Sequence, residues 1–259
     1  MDHQPNSETK QAISQFGLKA VRPLFWHDTN QRPPRKLTGA SCFALQFKER
    51  LIGVTAAHVI LEYQTAKRQC STLICQLQNT EFDLDRALVA VDTEHDIATF
   101  RVTHDQLSRA SGVSFDCTGE WPPRMPEVDQ VLQLVGFPEN IRRVNQSFRG
   151  EYGAYGAFAA VEDVTPRDII VTYDPQRDKA VSWVPEMPPL GYNMSGCSGG
   201  PALTHDIRNG LHRWHVVGMI NSGPGNRAEG SFAGLDIIKI RRIDCIQSDG
   251  AIANVTGGW

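Results

Sequence analysis

No run of about 18 apolar residues occurs anywhere in this 259-residue chain, so no membrane-spanning helix is expected. The opening Met1-Asp2-His3-Gln4-Pro5-Asn6-Ser7-Glu8 lacks a basic cap followed by an apolar stretch, and does not read as a secretory signal. A basic excess is missing too. With 26 Lys+Arg against 29 Asp+Glu the formal charge is −3, so no nucleic-acid partner is expected. Cysteines are few and scattered, at positions 42, 70, 75, 117, 197 and 245. Cys70 and Cys75 are the one close pair, and no second Cys or His pair completes a zinc site. Without a secretory signal, thiols in a reducing, cytoplasmic setting are the expectation, with no metal and no membrane partner.

What is present is ordinary for a soluble globular chain: 41% hydrophobic and 21% charged residues. Residues 1–35 are polar and carry Pro23, Pro33 and Pro34, which suggests an N-terminal extension with a short helical turn near Gln11–Phe16. From Leu37 onward, short runs rich in Val, Ile, Phe and Thr alternate with turn residues. Ser41–Phe47, Leu51–Ala56, Ala87–Val91, Ile97–Val102, Val131–Val135, Ile169–Tyr173 and Trp214–Ile220 are all strand-length. Lys48-Glu49-Arg50 reads as a hairpin turn, and short helices are expected near Thr55–Tyr63 and Ile238–Ile246. The resulting expectation is an all-β fold in two halves, 36–125 and 126–247, joined near Pro122–Val128 and followed by a tail, 248–259.

Three stretches carry chemistry. Gly196-Cys197-Ser198-Gly199-Gly200-Pro201 sets a serine among glycines. A serine hydroxyl is a poor nucleophile, so it needs a base and donors for the charge on the attacked carbonyl oxygen. Glycines let the backbone turn its N–H groups into one pocket and admit a substrate chain. Gly53-Val54-Thr55-Ala56-Ala57-His58 ends an apolar run in two small residues and a histidine, leaving an imidazole face open at a strand end. Asp96 stands immediately before the apolar run Ile97-Ala98-Thr99-Phe100, where its carboxylate can orient a histidine, with Asp92 and Asp105 as nearby competitors. The Gly-x-Ser-x-Gly pattern also satisfies the nucleophile elbow of α/β-hydrolases. That fold places its acid and histidine after the serine, and the βαβ alternation it needs is missing.

Together, Thr55–His58, Asp96–Ala98 and Gly196–Pro201 resemble the trypsin-like, chymotrypsin-fold serine peptidases of the bacterial, non-secreted type. The order His, Asp, Ser and the intervals of 38 and 102 residues suit that family. Trp214–Gly223 and Val135–Pro138 resemble two of its second-half strands. The resemblance implies two six-stranded antiparallel β-barrels with the active site in the cleft between them. It implies a peptide or protein substrate and no cofactor. His58 would act as general base and acid, Asp96 would orient it, and the N–H groups of Gly196 and Ser198 would form the oxyanion hole.

The sequence departs from the digestive members at Cys197, where they carry an aspartate that pairs with a newly cut N-terminus. No activation by cleavage near Arg35 is therefore expected. Motif alignment places Tyr192 at the base of the specificity pocket, with Ile220, Asn221, Ser222 and Gly223 along one wall. Nothing acidic stands there, which suggests a small or medium apolar P1 residue, unless Tyr192 fills the pocket. The alternative to an active enzyme is an idle or autoinhibited protease fold used for binding, with residues 1–35 blocking the cleft. Oligomeric state is not legible.

Overall fold

The computed structural model of the chain describes residues 15–31, 37–139, 142–144, 150–173, 195–222 and 236–253. The fold is mostly β, in two halves. The first contains β1 (Arg22–Asp28), β2 (Thr38–Phe47), β3 (Arg50–Thr55), β4 (Leu73–Leu77), β5 (Thr80–Glu81), β6 (Leu88–Asp92), β7 (Ile97–Val102) and β8 (Ser114–Asp116). They form one eight-stranded sheet in the order β5-β4-β1-β2-β3-β7-β6, with β8 parallel to β2. Long β2 serves three neighbours: residues 38–42 pair with β1, 43–47 pair with β3, and 44–46 also pair with β8. The turn expected at Lys48–Arg50 closes the β2–β3 hairpin, with Lys48 at φ 52°.

The second half is a closed antiparallel barrel of six strands. These are β9 (Val131–Gly136), β12 (Tyr155–Val164), β13 (Asp168–Tyr173), β14 (Pro201–Arg208), β15 (Leu211–Ser222) and β16 (Asp236–Arg242). A small hairpin, β10 (Arg142–Val144) and β11 (Gly150–Tyr152), stands apart from it. Asn209 and Gly210, both at positive φ, turn β14 into β15 as a two-residue hairpin requires. Alternating apolar residues fill the barrel, among them Leu132, Leu134, Val171, Val217, Ile238 and Ile240. Among the described residues the first half is not a closed barrel, so the sequence expectation of two closed barrels is met for one.

Helices are short and mostly local. Residues 15–20 are helical (α1), followed by α2 (Ala57–Gln69), α3 (Leu84–Ala87) and α4 (His104–Arg109). The helix expected near Thr55–Tyr63 is α2, which runs one and a half turns further. No helix forms near Ile238–Ile246. There Ile237 is exposed while Ile238 and Ile240 are fully buried, the period-two pattern of a strand, and β16 occupies the segment. Among the described residues no helix is long and apolar enough to cross a membrane.

Both termini correct the expected boundaries. Residues 22–28, assigned to an extension, form β1, hydrogen-bonded to β2 on one side and β4 on the other. Leu24, Phe25 and Trp26 are buried in it. Pro23, which cannot donate to a ladder, and the charged Arg22 and Asp28 hide the strand in the sequence. Arg22 is itself buried, its guanidinium donating to the carbonyls of Leu18, Val21 and Ser111. The supposed tail also returns to the fold. Ile246 bridges Ile252, Ala253 N donates to Cys245 O at 2.9 Å, and Thr99 Oγ1 donates to Gly250 O at 2.6 Å.

The halves exchange these ends. From α1, Phe16 stacks on Trp214 of β15 at 6.0 Å between ring centroids, and Leu18 packs with Val135 and Phe137. Ile243, Cys245 and Ile246 join the core of the first half. Because β1 is an interior strand, a chain beginning after Asp28 is expected not to fold. Leu24→Ala is expected to cost about 2–5 kcal/mol through the cavity it leaves. Urea unfolding followed by circular dichroism measures both; a Leu24→Ala midpoint equal to that of the parent would contradict this placement of β1.

Candidate active site

His58 is the second residue of α2. The helix starts directly from β3 through Ala56, whose side chain offers no cap. Its early N–H groups therefore need acceptors from elsewhere. Asp96 supplies one. Its Oδ1 accepts the His58 backbone N–H at 2.8 Å, and its Oδ2 accepts His58 Nδ1 at 2.7 Å. The carboxylate thus lies at the positive end of a helix and grips the ring of the same residue. An ionised carboxylate only accepts, so Nδ1 carries the proton and Nε2 is left as an acceptor. The bond to Asp96 raises the His58 pKa above its ordinary value, against the opposing effect of burial.

Asp96 reaches this place from a strained turn. Its φ is 54°, between β6 and β7, an uncommon conformation outside glycine. A third donor comes from the barrel: Asn221 Nδ2, near the end of β15, donates to Asp96 Oδ2 at 2.7 Å. The two competing aspartates are engaged elsewhere. Asp92 pairs with His95 at 2.7 Å, and Asp105 pairs with Arg109 on α4 at 2.9 Å.

Ser198 lies in the loop ahead of β14, where Gly196 and Gly199 take φ of 88° and 81°. Four successive carbonyls of this loop are occupied. Ser195 O accepts Glu139 N at 2.8 Å, Gly196 O accepts Ser41 Oγ at 2.8 Å, Cys197 O accepts Gly200 N at 2.8 Å, and Ser198 O accepts Ser41 N at 3.0 Å. In a trans peptide the C=O and N–H point opposite ways. Fixing the carbonyls of residues 195 and 197 therefore aims the N–H groups of Gly196 and Ser198 away from those partners. Neither N–H has a hydrogen-bond acceptor among the described residues. Two oriented, unspent donors flank the hydroxyl.

The loop is seated by close backbone approach. A Cβ on Gly199 would collide with Ser41 O and Thr55 Oγ1, and one on Gly200 with Val135 O. Thr55, which donates to Ser41 O at 2.9 Å, ends β3 three residues before His58. The contact between Thr55 and Gly199 sets the end of β3 against the serine loop. The Ser198 hydroxyl itself makes no hydrogen bond among the described residues. In unliganded sites such bonds commonly tighten only with substrate.

The remaining sequence candidates fall differently. Tyr192 and Gly223 lie outside the described residues. Ile220 is buried in the barrel core, its N–H bonded to Gly200 O at 2.7 Å and its carbonyl to Gly199 N at 2.8 Å, so it anchors the nucleophile loop. Asn221 turns to Asp96, and Ser222 is exposed opposite Lys239. Cys197 is fully buried beneath Gly136, where an added Cβ would lie 2.6 Å from its own. All six cysteines are thiols. Among the described residues no three His, Cys, Asp or Glu side chains converge as a metal site. Sequence reasoning gave no role of their own to Ser41, Thr55 and Glu139. The first two lie inside apolar runs, where a hydroxyl reads as strand propensity.

Gly199 is the position least able to change. Gly199→Ala adds a left-handed residue, at about 1–3 kcal/mol, to a collision with backbone. It is expected to lower the thermal midpoint by several degrees or prevent folding, read by differential scanning fluorimetry. Comparison of the chain with models of known protein families gives no match, and no curated protein matches it, so its functional reading rests on this geometry.

Proposed function

We propose that the chain is a serine endopeptidase of the trypsin-like type that works through an acyl-enzyme on Ser198. The observation that carries this reading is a coincidence of two features. Asp96 fixes the His58 tautomer so that Nε2 is a base, and two undonated N–H groups flank the only hydroxyl in the same loop's Gly-x-Ser-Gly-Gly-Pro string. His58 takes the Ser198 proton as the hydroxyl attacks the peptide carbonyl, and later passes it to the leaving amine. Asp96 stabilises the imidazolium formed on the way. The N–H groups of Gly196 and Ser198 receive the oxyanion, and water then resolves the ester.

In this reading the first-half sheet is the counterpart of the first barrel in a chymotrypsin-type pair, and the cleft lies between the halves. The substrate is a peptide chain, and a cytoplasmic setting suits the six thiols. Blocking of the cleft by residues 1–35 loses part of its basis, since residues 22–28 are an interior strand.

A fluorophosphonate probe reacts with a serine whose base and oxyanion donors are assembled. The full chain is expected to label, and Ser198→Ala and His58→Ala to lose labelling while remaining folded. A folded parent chain that does not label overturns the enzyme reading in favour of a binding module.

The base acts only when neutral, so the labelling rate rises with pH through the His58 pKa. That pKa is raised by Asp96, which sets the midpoint above about 6.5, the ordinary imidazole value. Asp96→Asn should bring the midpoint down and slow the reaction by about 10⁴-fold. Asn221→Ala removes a donor that shares Oδ2 with His58, leaving more of the negative charge to the ring, and the midpoint should move further up. Rate measurements from pH 5 to 10 test both directions.

A further inference from the structure

Ser41 belongs to the first half, in β2, yet most of its hydrogen bonds cross to the second. It is fully buried. Its Oγ donates to Gly196 O and accepts Phe137 N, both at 2.8 Å, while its N–H donates to Ser198 O at 3.0 Å and its carbonyl accepts Thr55 Oγ1 at 2.9 Å. We propose that Ser41 is a positioning residue for the nucleophile and the oxyanion donors, an inference that rests on the peptidase reading above.

The reasoning follows the peptide planes. The N–H groups of Gly196 and Ser198 are aimed by the bonds of Ser195 O and Cys197 O. Between those two planes lies the 196–197 peptide, whose rotation would swing one donor relative to the other. Ser41 Oγ holds that plane through Gly196 O. The hydroxyl is not at liberty to turn, because the Phe137 N–H occupies a lone pair and directs the O–H towards Gly196. Ser41 N holds the next plane, 198–199, just beyond the nucleophile, at its carbonyl end, while Gly199 N donates to Ile220 O at the other. One buried residue therefore bears on both the spacing of the two donors and the backbone on which Ser198 stands. Ser41→Ala would remove the hydroxyl that links Gly196 O to Phe137 N and release the joint.

The test compares fluorophosphonate labelling of the parent chain, Ser41→Ala, Ser41→Cys and Thr99→Val. Thr99→Val removes another fully buried hydroxyl, one bonded to Gly250 O and not to the serine loop. A misplacement of an ångström or less can slow a reaction by about 100-fold. Ser41→Ala is therefore expected to slow the inactivation step by about 10- to 100-fold, with little change in probe affinity. The pH midpoint should remain that of the parent, because the His58–Asp96–Asn221 bonds are untouched. Ser41→Cys, a weaker donor, should fall between. Thr99→Val should label at the parental rate even where its thermal midpoint falls as far. Equal labelling by the parent and Ser41→Ala overturns the proposal while leaving the peptidase reading intact. Equal slowing in Ser41→Ala and Thr99→Val overturns it by assigning the effect to lost stability. A parent that does not label overturns the peptidase reading and this role with it.

Discussion

One carboxylate organises the centre of the molecule. Asp96 accepts a backbone N–H from the start of α2, the ring of His58 and the amide of Asn221 from the barrel. The first two come from His58 of α2, and the last from β15 in the other half. A buried or half-buried carboxylate is tolerated only when its oxygens are satisfied. Here that requirement is met only if helix, turn and barrel strand all arrive together. The left-handed backbone at Asp96 is held by the same arrangement.

Around that point the halves are also joined by close backbone approach. Gly199 of the second half lies against Ser41 and Thr55 of the first, at separations that leave no room for a Cβ. Such contacts define the relative position of the serine loop and the histidine strand to within the stiffness of two hairpins. Apolar packing then fixes the rest: Leu203, Val216 and Met219 of the barrel strands pack with the first-half core. The site is the seam of the fold, and its geometry follows from how the seam closes.

How much of this is legible in the sequence depends on the kind of signal. Strands rich in apolar and β-branched residues, such as Ile97–Val102 and Val131–Gly136, announce themselves by length and composition. The triad candidates are legible because rare combinations of residue types stand close together in the chain. β1 is hidden because Arg22, Pro23, His27 and Asp28 surround only three large apolar residues, and the buried guanidinium donates to carbonyls that no local pattern foretells. Asn221 reads as a pocket wall from motif alignment, whereas its amide finds a carboxylate 125 positions away. Ser41 is invisible for the same reason: its partners are 96 and 155 positions distant. Long-range polar pairing leaves no periodicity to read.

The exchanged ends have a consequence for the order in which the chain acquires its structure. The first-half core includes Ile243, Cys245 and Ile246, and Thr99 of its sheet donates to Gly250. Residues made early thus wait for residues made late. During vectorial synthesis the first half emerges with part of its apolar surface uncovered, and the His58–Asp96 pair lacks Asn221 until β15 has been translated. A nascent chain holds the residues of the site long before it holds the site. The seam closes late, and a truncated product of translation carries the motifs without it.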